Sequence, residues 1–307
     1  MSIIEKAVDK LGKAADQLIP QEPAVQAEPA APEAVLIKKA VERAAEQPAA
    51  PQAPAPVAES IGSHQIAISN HKLKQMGMIS LDGERSQIAE EYRLIKRPLL
   101  MNAFGQGATP VRNGNMIMVT SSLPGEGKTF CSINLAISIA MELDRTVLLV
   151  DADVAKPSVL RYLGVKAEQG LLDVLRDDKL NIGDVLIKTN VENLSILPAG
   201  RTYKHATELL ASEAMTSLIR EIANRYPDRI VIFDSPPLLA TSEASVLASH
   251  MGQIVMVIEA EKTPQEAVKE AVARIEGACD VIGTILNKAT PIAGTDYYYG
   301  NYGSYGS

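Results

Sequence analysis

The apolar run Met116–Thr120 ends in Ser121-Ser122-Leu123-Pro124-Gly125-Glu126-Gly127-Lys128-Thr129, which passes into the helical stretch Phe130-Cys131-Ser132-Ile133-Asn134-Leu135-Ala136. A strand, a glycine-rich loop and a helix in that order constrain the chain more than any other feature. They are the setting in which backbone amides and a helix N-terminus cradle phosphate. Gly125 and Gly127 let N–H groups turn toward a polyphosphate, Lys128 reaches its β- and γ-phosphates, and Thr129 offers a hydroxyl to Mg²⁺. The nucleotide contacts expected are Ser122, Pro124, Gly125, Glu126, Gly127, Lys128, Thr129 and Phe130. Ser122 stands where such loops usually have their first glycine.

From about Asn115 short apolar runs alternate with helical segments. Strands are expected at 116–120, 146–150, 194–198, 229–233, 254–258 and 281–286, and helices at 129–143, 206–226, 242–251 and 264–277. Apolar strands without polar alternation, each followed by a helix, predict an α/β fold with a doubly wound, mainly parallel sheet covered by helices on both faces. Ligands of such sheets bind beyond the C-terminal ends of the strands. Two more strands end there in acids: Leu148-Leu149-Val150 runs into Asp151-Ala152-Asp153, and Ile232-Phe233 into Asp234-Ser235-Pro236-Pro237. One Asp after a strand usually caps a helix. Three beside one phosphate loop point to Mg²⁺, with Thr129, Asp151 and Asp234 as its ligands, directly or through water. Asn287 and Lys288, ending the last strand, are placed to border an adenine or simply to terminate the strand.

A net charge of −7 excludes a general affinity for nucleic acid, which comes from cations displacing counterions. The only cysteines, Cys131 and Cys279, form no metal or disulfide framework. Glu5, Lys6, Asp9 and Lys10 interrupt any secretory core, and no apolar run approaches ~20 residues, so a cytoplasmic protein is expected. Residues 1–19 have the spacing of an amphipathic helix. Eight of the 18 prolines lie between Pro20 and Ser60, so residues 20–80 read as a Pro/Ala-rich linker, largely disordered, before a domain at 81–289. The remaining 290–307 hold Tyr297, Tyr298, Tyr299, Tyr302 and Tyr305, five of the nine tyrosines, interleaved with glycine. Such a tail is either a low-complexity end or an exposed array of phenols.

With these residues in place the chain resembles the bacterial tyrosine autokinases of capsule and exopolysaccharide systems, over roughly Glu84 to the C-terminus, and is most similar to their exosortase-associated cytosolic branch. That family's three motifs are matched by Ser122–Thr129, by Asp151 and Asp153, and by Asp234–Pro237. The resemblance implies ATP and Mg²⁺, and a kinase in which Lys128 binds phosphate, Asp151, Asp153 and Asp234 complete the catalytic set, and one acid of the second motif accepts the tyrosine proton. It implies autophosphorylation of the tail, in trans by the family's habit. It also implies self-assembly into a ring, a separate membrane polysaccharide co-polymerase that recruits the protein to the inner face of the membrane, and a tyrosine phosphatase. The family's Glu-x-x-Arg-x-x-Arg interface segment reads here as Glu90, Arg93 and Lys96, so the last guanidinium is lost. Ala155 and Lys156 stand where arginines are common before Pro157.

Two other readings compete. An ATP-driven dimerisation switch of the division-site or partition type would carry a lysine five residues before Lys128, where Leu123 stands. A non-catalytic nucleotide-binding scaffold would bind ATP and leave no phosphotyrosine.

Overall fold

The computed structural model describes residues 65–290, apart from 106, 108, 226 and 227. The amphipathic segment 1–19, most of the linker and the tyrosine tail lie outside the described residues.

The central strands are β2 (Met116–Ser121), β3 (Thr146–Asp151), β6 (Arg229–Asp234) and β7 (Gln253–Glu259); short strands β1 (Gln65–Ile66), β4 (Ile187–Thr189) and β5 (Leu194–Leu197) lie to one side and β8 (Val281–Asn287) to the other. They form one sheet in the order β1-β4-β5-β3-β6-β2-β7-β8. Every pairing is parallel except β4 with β5. All six strands expected from the sequence are present, within a residue or two of their predicted ends. Their continuous apolar character follows from burial on both faces. Met118, Val150, Phe233 and Met256 point into one half of the core, whereas Val119, Leu149, Ile232 and Val257 point into the other.

On the second face lies α3 (Lys128–Ala140), whose residues from Cys131 to Ala140 are all buried. A helix apolar all round needs cover on both sides. The sheet supplies one, and α2 (Gln87–Ala103) packs across the other. Ser86 caps α2, its hydroxyl accepting from the Ala89 amide at 3.3 Å.

The boundary expected at 81 is corrected by the structure. Residues 65–80 belong to the folded unit, because Ile68, Leu73, Met78 and Ile79 are buried in the α3 half of the core. Polar clasps fix this segment: Asn190 Oδ1 accepts from the Ile68 amide at 2.7 Å, and Asn134 Oδ1 from the Ile79 amide at 2.8 Å. A two-residue strand and the six-residue α1 (Asn70–Gln75) are too short to show a period, so their order comes from tertiary contacts.

Between β3 and β4 lie three short helices, α4 (Val159–Leu163), α5 (Leu171–Val174) and α6 (Ile182–Val185). The single helix expected over 206–226 is two, α7 (Ala206–Leu210) and α8 (Glu213–Arg225). Ser212 breaks it: its hydroxyl accepts from the Met215 amide at 3.2 Å, starting a new helix. With α9 (Glu243–Ala248) and α10 (Gln265–Ala273), helices α5 to α8 cover the first face, whereas Val159 and Leu163 of α4 are buried in the α3 half. Chain order reverses around β2, which sits between β6 and β7, so the crevice outside its C-terminal end is the topological switch point.

Candidate active site

The loop leaving β2 turns through Gly125 at φ 92° and Gly127 at φ 99°, left-handed conformations that favour glycine. At Gly127 a Cβ would also stand 2.0 Å from Asn287 Nδ2, so the close approach of β8 excludes any side chain. Asn287 Nδ2 donates to the Glu126 carbonyl at 2.8 Å, and Lys288 Nζ to the Gly125 carbonyl at 2.9 Å. The end of β8 thus holds the phosphate loop by its backbone.

Three expected nucleotide contacts turn inward. The Glu126 carboxylate is buried, accepting from the Leu123 amide at 2.7 Å and from the Thr263 hydroxyl, so its side chain braces its own loop. Ser122 is fully buried, its hydroxyl against Met256 Sδ, and Phe130 packs into the core beside α2. A motif gives sequence positions; the direction of each side chain depends on neighbours far along the chain.

Gly125, Gly127, Lys128, Thr129 and Asp153 open onto a cavity of about 490 Å³, closed across from them by Pro157, Arg161, Tyr162 and Pro236. Lys128 Nζ lies 2.7 Å from Asp153 Oδ2, with both side chains largely buried. Asp153 Oδ1 accepts from the Lys156 amide at 3.1 Å. Burial disfavours the Lys128 ammonium, but the carboxylates of Asp234 and Asp153 outweigh it and hold its pKa above the ordinary value.

Behind this pair, Asp151 and Asp234 are register partners across β3 and β6, both buried. Asp234 accepts from the Thr129 hydroxyl at 2.7 Å and from the Ser132 hydroxyl at 3.1 Å. Asp151 Oδ2 accepts from the Ser158 and Val159 amides at 2.9 and 3.0 Å, while its Oδ1 is buried with no partner. Burial raises the pKa of both carboxyls; their neighbouring negative charges raise them further, opposed at Asp234 by Lys128 and the two hydroxyls.

An unpartnered carboxylate oxygen beside a second carboxylate and a hydroxyl fits a hard cation. Among the described residues no three acids, histidines or cysteines converge to hold a metal alone. A magnesium held there would share one or two carboxylates with substrate phosphates and water.

Sequence reasoning thus placed Lys128, Thr129, Asp151, Asp153 and Asp234 together, and the structure groups them. It missed Ser132, which orients Asp234, and Arg161 and Tyr162 on the cavity wall. Ser132 lies one helical turn beyond Lys128, a spacing that could have marked it. Arg161 and Tyr162 sit on the five-residue α4, too short for any pattern.

The proposed interface positions lie on α2, away from this cavity. Glu90 and Arg93 are exposed and paired to each other. Lys96 departs from the expected interface role: it is 8% exposed, donates to the Ser138 carbonyl at 2.6 Å and pairs with Glu142. It satisfies the C-terminal end of α3, where orphan carbonyls attract a cation.

A glycine-rich loop at the switch point of a parallel sheet, with a lysine and strand-end carboxylates around it, defines a P-loop nucleotide-binding protein. A family profile described as an AAA domain matches residues 114–287. Tyrosine-protein kinase YwqD of Bacillus subtilis is 32% identical over 230 residues, spanning 74% of this chain and 92% of that protein. CapB of Staphylococcus aureus is 30% identical over 219 residues, spanning 71% and 92%. The kinase domain of the Escherichia coli tyrosine kinase ETK superposes with a TM-score of 0.61 at 26% identity, covering 76% of this chain and 91% of that one. The chain belongs to the bacterial tyrosine-protein kinases.

Proposed function

We propose that this kinase transfers the γ-phosphate of ATP to the tyrosines of its own C-terminal cluster, Tyr297, Tyr298, Tyr299, Tyr302 and Tyr305, with a tail reaching a neighbouring copy's site. The observation that carries the reading is the Lys128–Asp153 pair facing a cavity of about 490 Å³ that also exposes the phosphate loop. One partner of the pair suits a phosphate and the other suits a proton.

The tyrosine phenol has a pKa near ~10 and must lose its proton as it attacks phosphorus. Asp153, on the cavity wall, is the carboxylate that takes it; the new O–P bond forms as the bond to the ADP oxygen breaks. Lys128 follows the γ-phosphate through the reaction, balancing charge on its equatorial oxygens. The amides around Gly125–Thr129 fix the polyphosphate, and Thr129 and Asp234, with Asp151 behind, would hold Mg²⁺. When bound, the ion would neutralise charge shared between the β- and γ-phosphates. Ser132 keeps the Asp234 carboxylate oriented toward Thr129. Phosphoryl transfer leans on positioning more than on the base, so Lys128 outranks Asp153 in the expected effect of its loss.

Control of exopolysaccharide synthesis or export, a membrane co-polymerase as activator and a tyrosine phosphatase as antagonist belong to the same reading. Among the described residues no helix is long and apolar enough to cross a membrane. The test is an anti-phosphotyrosine blot with mass spectrometry of the tail, on protein expressed with its membrane activator. Lys128→Met is expected to abolish tail phosphate with folding intact. Wild-type tail phosphate in that variant removes the reading, and nucleotide binding without any phosphotyrosine favours a scaffold.

A further inference from the structure

At the far end of α3 from the phosphate loop, α2 and the turn into β3 enclose a second groove, of about 680 Å³. Arg93, Arg97 and Arg145 line it with Leu100, Met101 and Phe104. Its remaining walls are Lys96, Glu142 and Asp144, giving four cations against two carboxylates in a chain of net charge −7. Much of this is already paired: Lys96 with Glu142, and Arg93 with Glu90. Among the described residues, neither Arg97 nor Arg145 has an ion-pair partner. Arg145 instead places its guanidinium carbon over the Phe104 ring, 3.7 Å from its centroid. Two guanidiniums without ion-pair partners among the described residues, one over an aromatic face, stand beside the half-buried Leu100 and Phe104 and the exposed Met101.

We propose that this groove binds phosphotyrosine of the chain's own tail. A phosphotyrosine combines an aromatic ring with about −1.5 to −2 charges. The ring fits Leu100, Met101 and Phe104, and the phosphate fits the forked donors of Arg97 and Arg145. An unmodified tyrosine offers no anion to the guanidiniums and gains little there. Tyr297–Tyr305 follow Thr290, the last described residue, by seven to fifteen residues, a reach of about 23–54 Å when extended. The groove lies about 20 Å from the phosphate loop along the 13 residues of α3. A chain's own phosphorylated tail can therefore reach it, and docking there withdraws the product from transfer while covering the exposed face of α2.

The inference rests on the tail being the phosphoacceptor, yet its test does not depend on the chain's activity. A fluorescent peptide of residues 290–307, synthesised with phosphotyrosine at 297, 298 and 299, is titrated with phosphatase-treated full chain and followed by anisotropy. It is expected to bind at least about tenfold more tightly than the unphosphorylated peptide, and free phosphotyrosine should displace it. Arg97→Gln with Arg145→Gln should weaken it by about tenfold or more at unchanged melting temperature. A full chain ligated to a synthetic phosphorylated tail should refuse the peptide at every protein concentration, because its own tail fills the groove. Equal affinity for the two peptides, or indifference to the arginine substitutions, overturns the proposal. So does association of the ligated chains with one another, or a preference of Arg97 and Arg145 for phosphatidylserine vesicles over the phosphopeptide. Failure of the kinase reading would appear separately, as a tail without phosphate in the blot and mass spectra.

Discussion

Lys128 and the three aspartates differ in what their surroundings ask of them. Asp153 faces the cavity and holds Lys128, whereas Asp234 and Asp151 sit behind it with raised pKa values. For Asp234, Asp234→Asn should leave the Thr129 and Ser132 contacts with a partner yet remove the charge beside the metal. Its expected effect is weaker binding of Mg²⁺·ATP than of ATP alone, read in a magnesium titration of nucleotide affinity; unchanged affinity across the titration would count against that role. For Asp151 the sign follows from linkage. A carboxyl whose folded pKa lies above its unfolded value binds protons more readily in the native state. Its contribution therefore weakens the fold as pH rises from the ordinary carboxyl value near ~4 through the raised folded value. Without Mg²⁺ and nucleotide, thermal stability should fall across that window, and Asp151→Asn should flatten the slope. Melting curves between about pH 4.5 and 8 decide it, and identical slopes for the two proteins would refute the assignment.

At the scale of elements, the joint between α2 and α3 is more than apolar packing. Lys96 crosses it to the Ser138 carbonyl and Glu142, both near the end of α3. Removing a buried charged donor strands its acceptor, so Lys96→Met should cost about 1–3 kcal/mol. Chemical denaturation measures it, and a change within error of zero would make the contact incidental. The residues 65–80 show why elements were unevenly legible. The long strands were plain in the sequence because burial on both faces forces a continuous apolar run. The β1–α1 segment was not, since four buried apolar residues in a polar stretch carry no period, and its order depends on Asn134 and Asn190 more than 50 residues away.

For the whole molecule, the tail is expected to act as substrate and as switch. Each phosphotyrosine adds about −1.5 to −2 charges, so several would add much negative charge to a segment bearing only Asp296. Unphosphorylated, Mg²⁺·ATP-competent protein should form the larger oligomers, with Glu90 and Arg93 on the exposed face of α2 as proposed contacts. Phosphorylation should shift the protein toward monomer. Replacing the five tail tyrosines by Phe should block phosphorylation and preserve assembly. Sedimentation of the three forms tests this, and identical distributions would end the switch while leaving the kinase untouched.

The sequence by itself determined the class of fold, the place of the site and the identity of its lysine and three aspartates. Those depend on local chemistry: glycines where φ must be positive, a lysine and hydroxyl opening a helix, acids at strand tips. Tertiary structure alone decided which of those residues face substrate. Glu126 and Lys96 carry charges that a motif assigns to ligand or partner, yet each is drawn inward by a group of a distant element, the Thr263 hydroxyl for one, beside the Leu123 amide of its own loop, and the Ser138 carbonyl for the other. A buried polar group must find a partner. The partner can lie anywhere in the chain, so side-chain direction could not be read from sequence order.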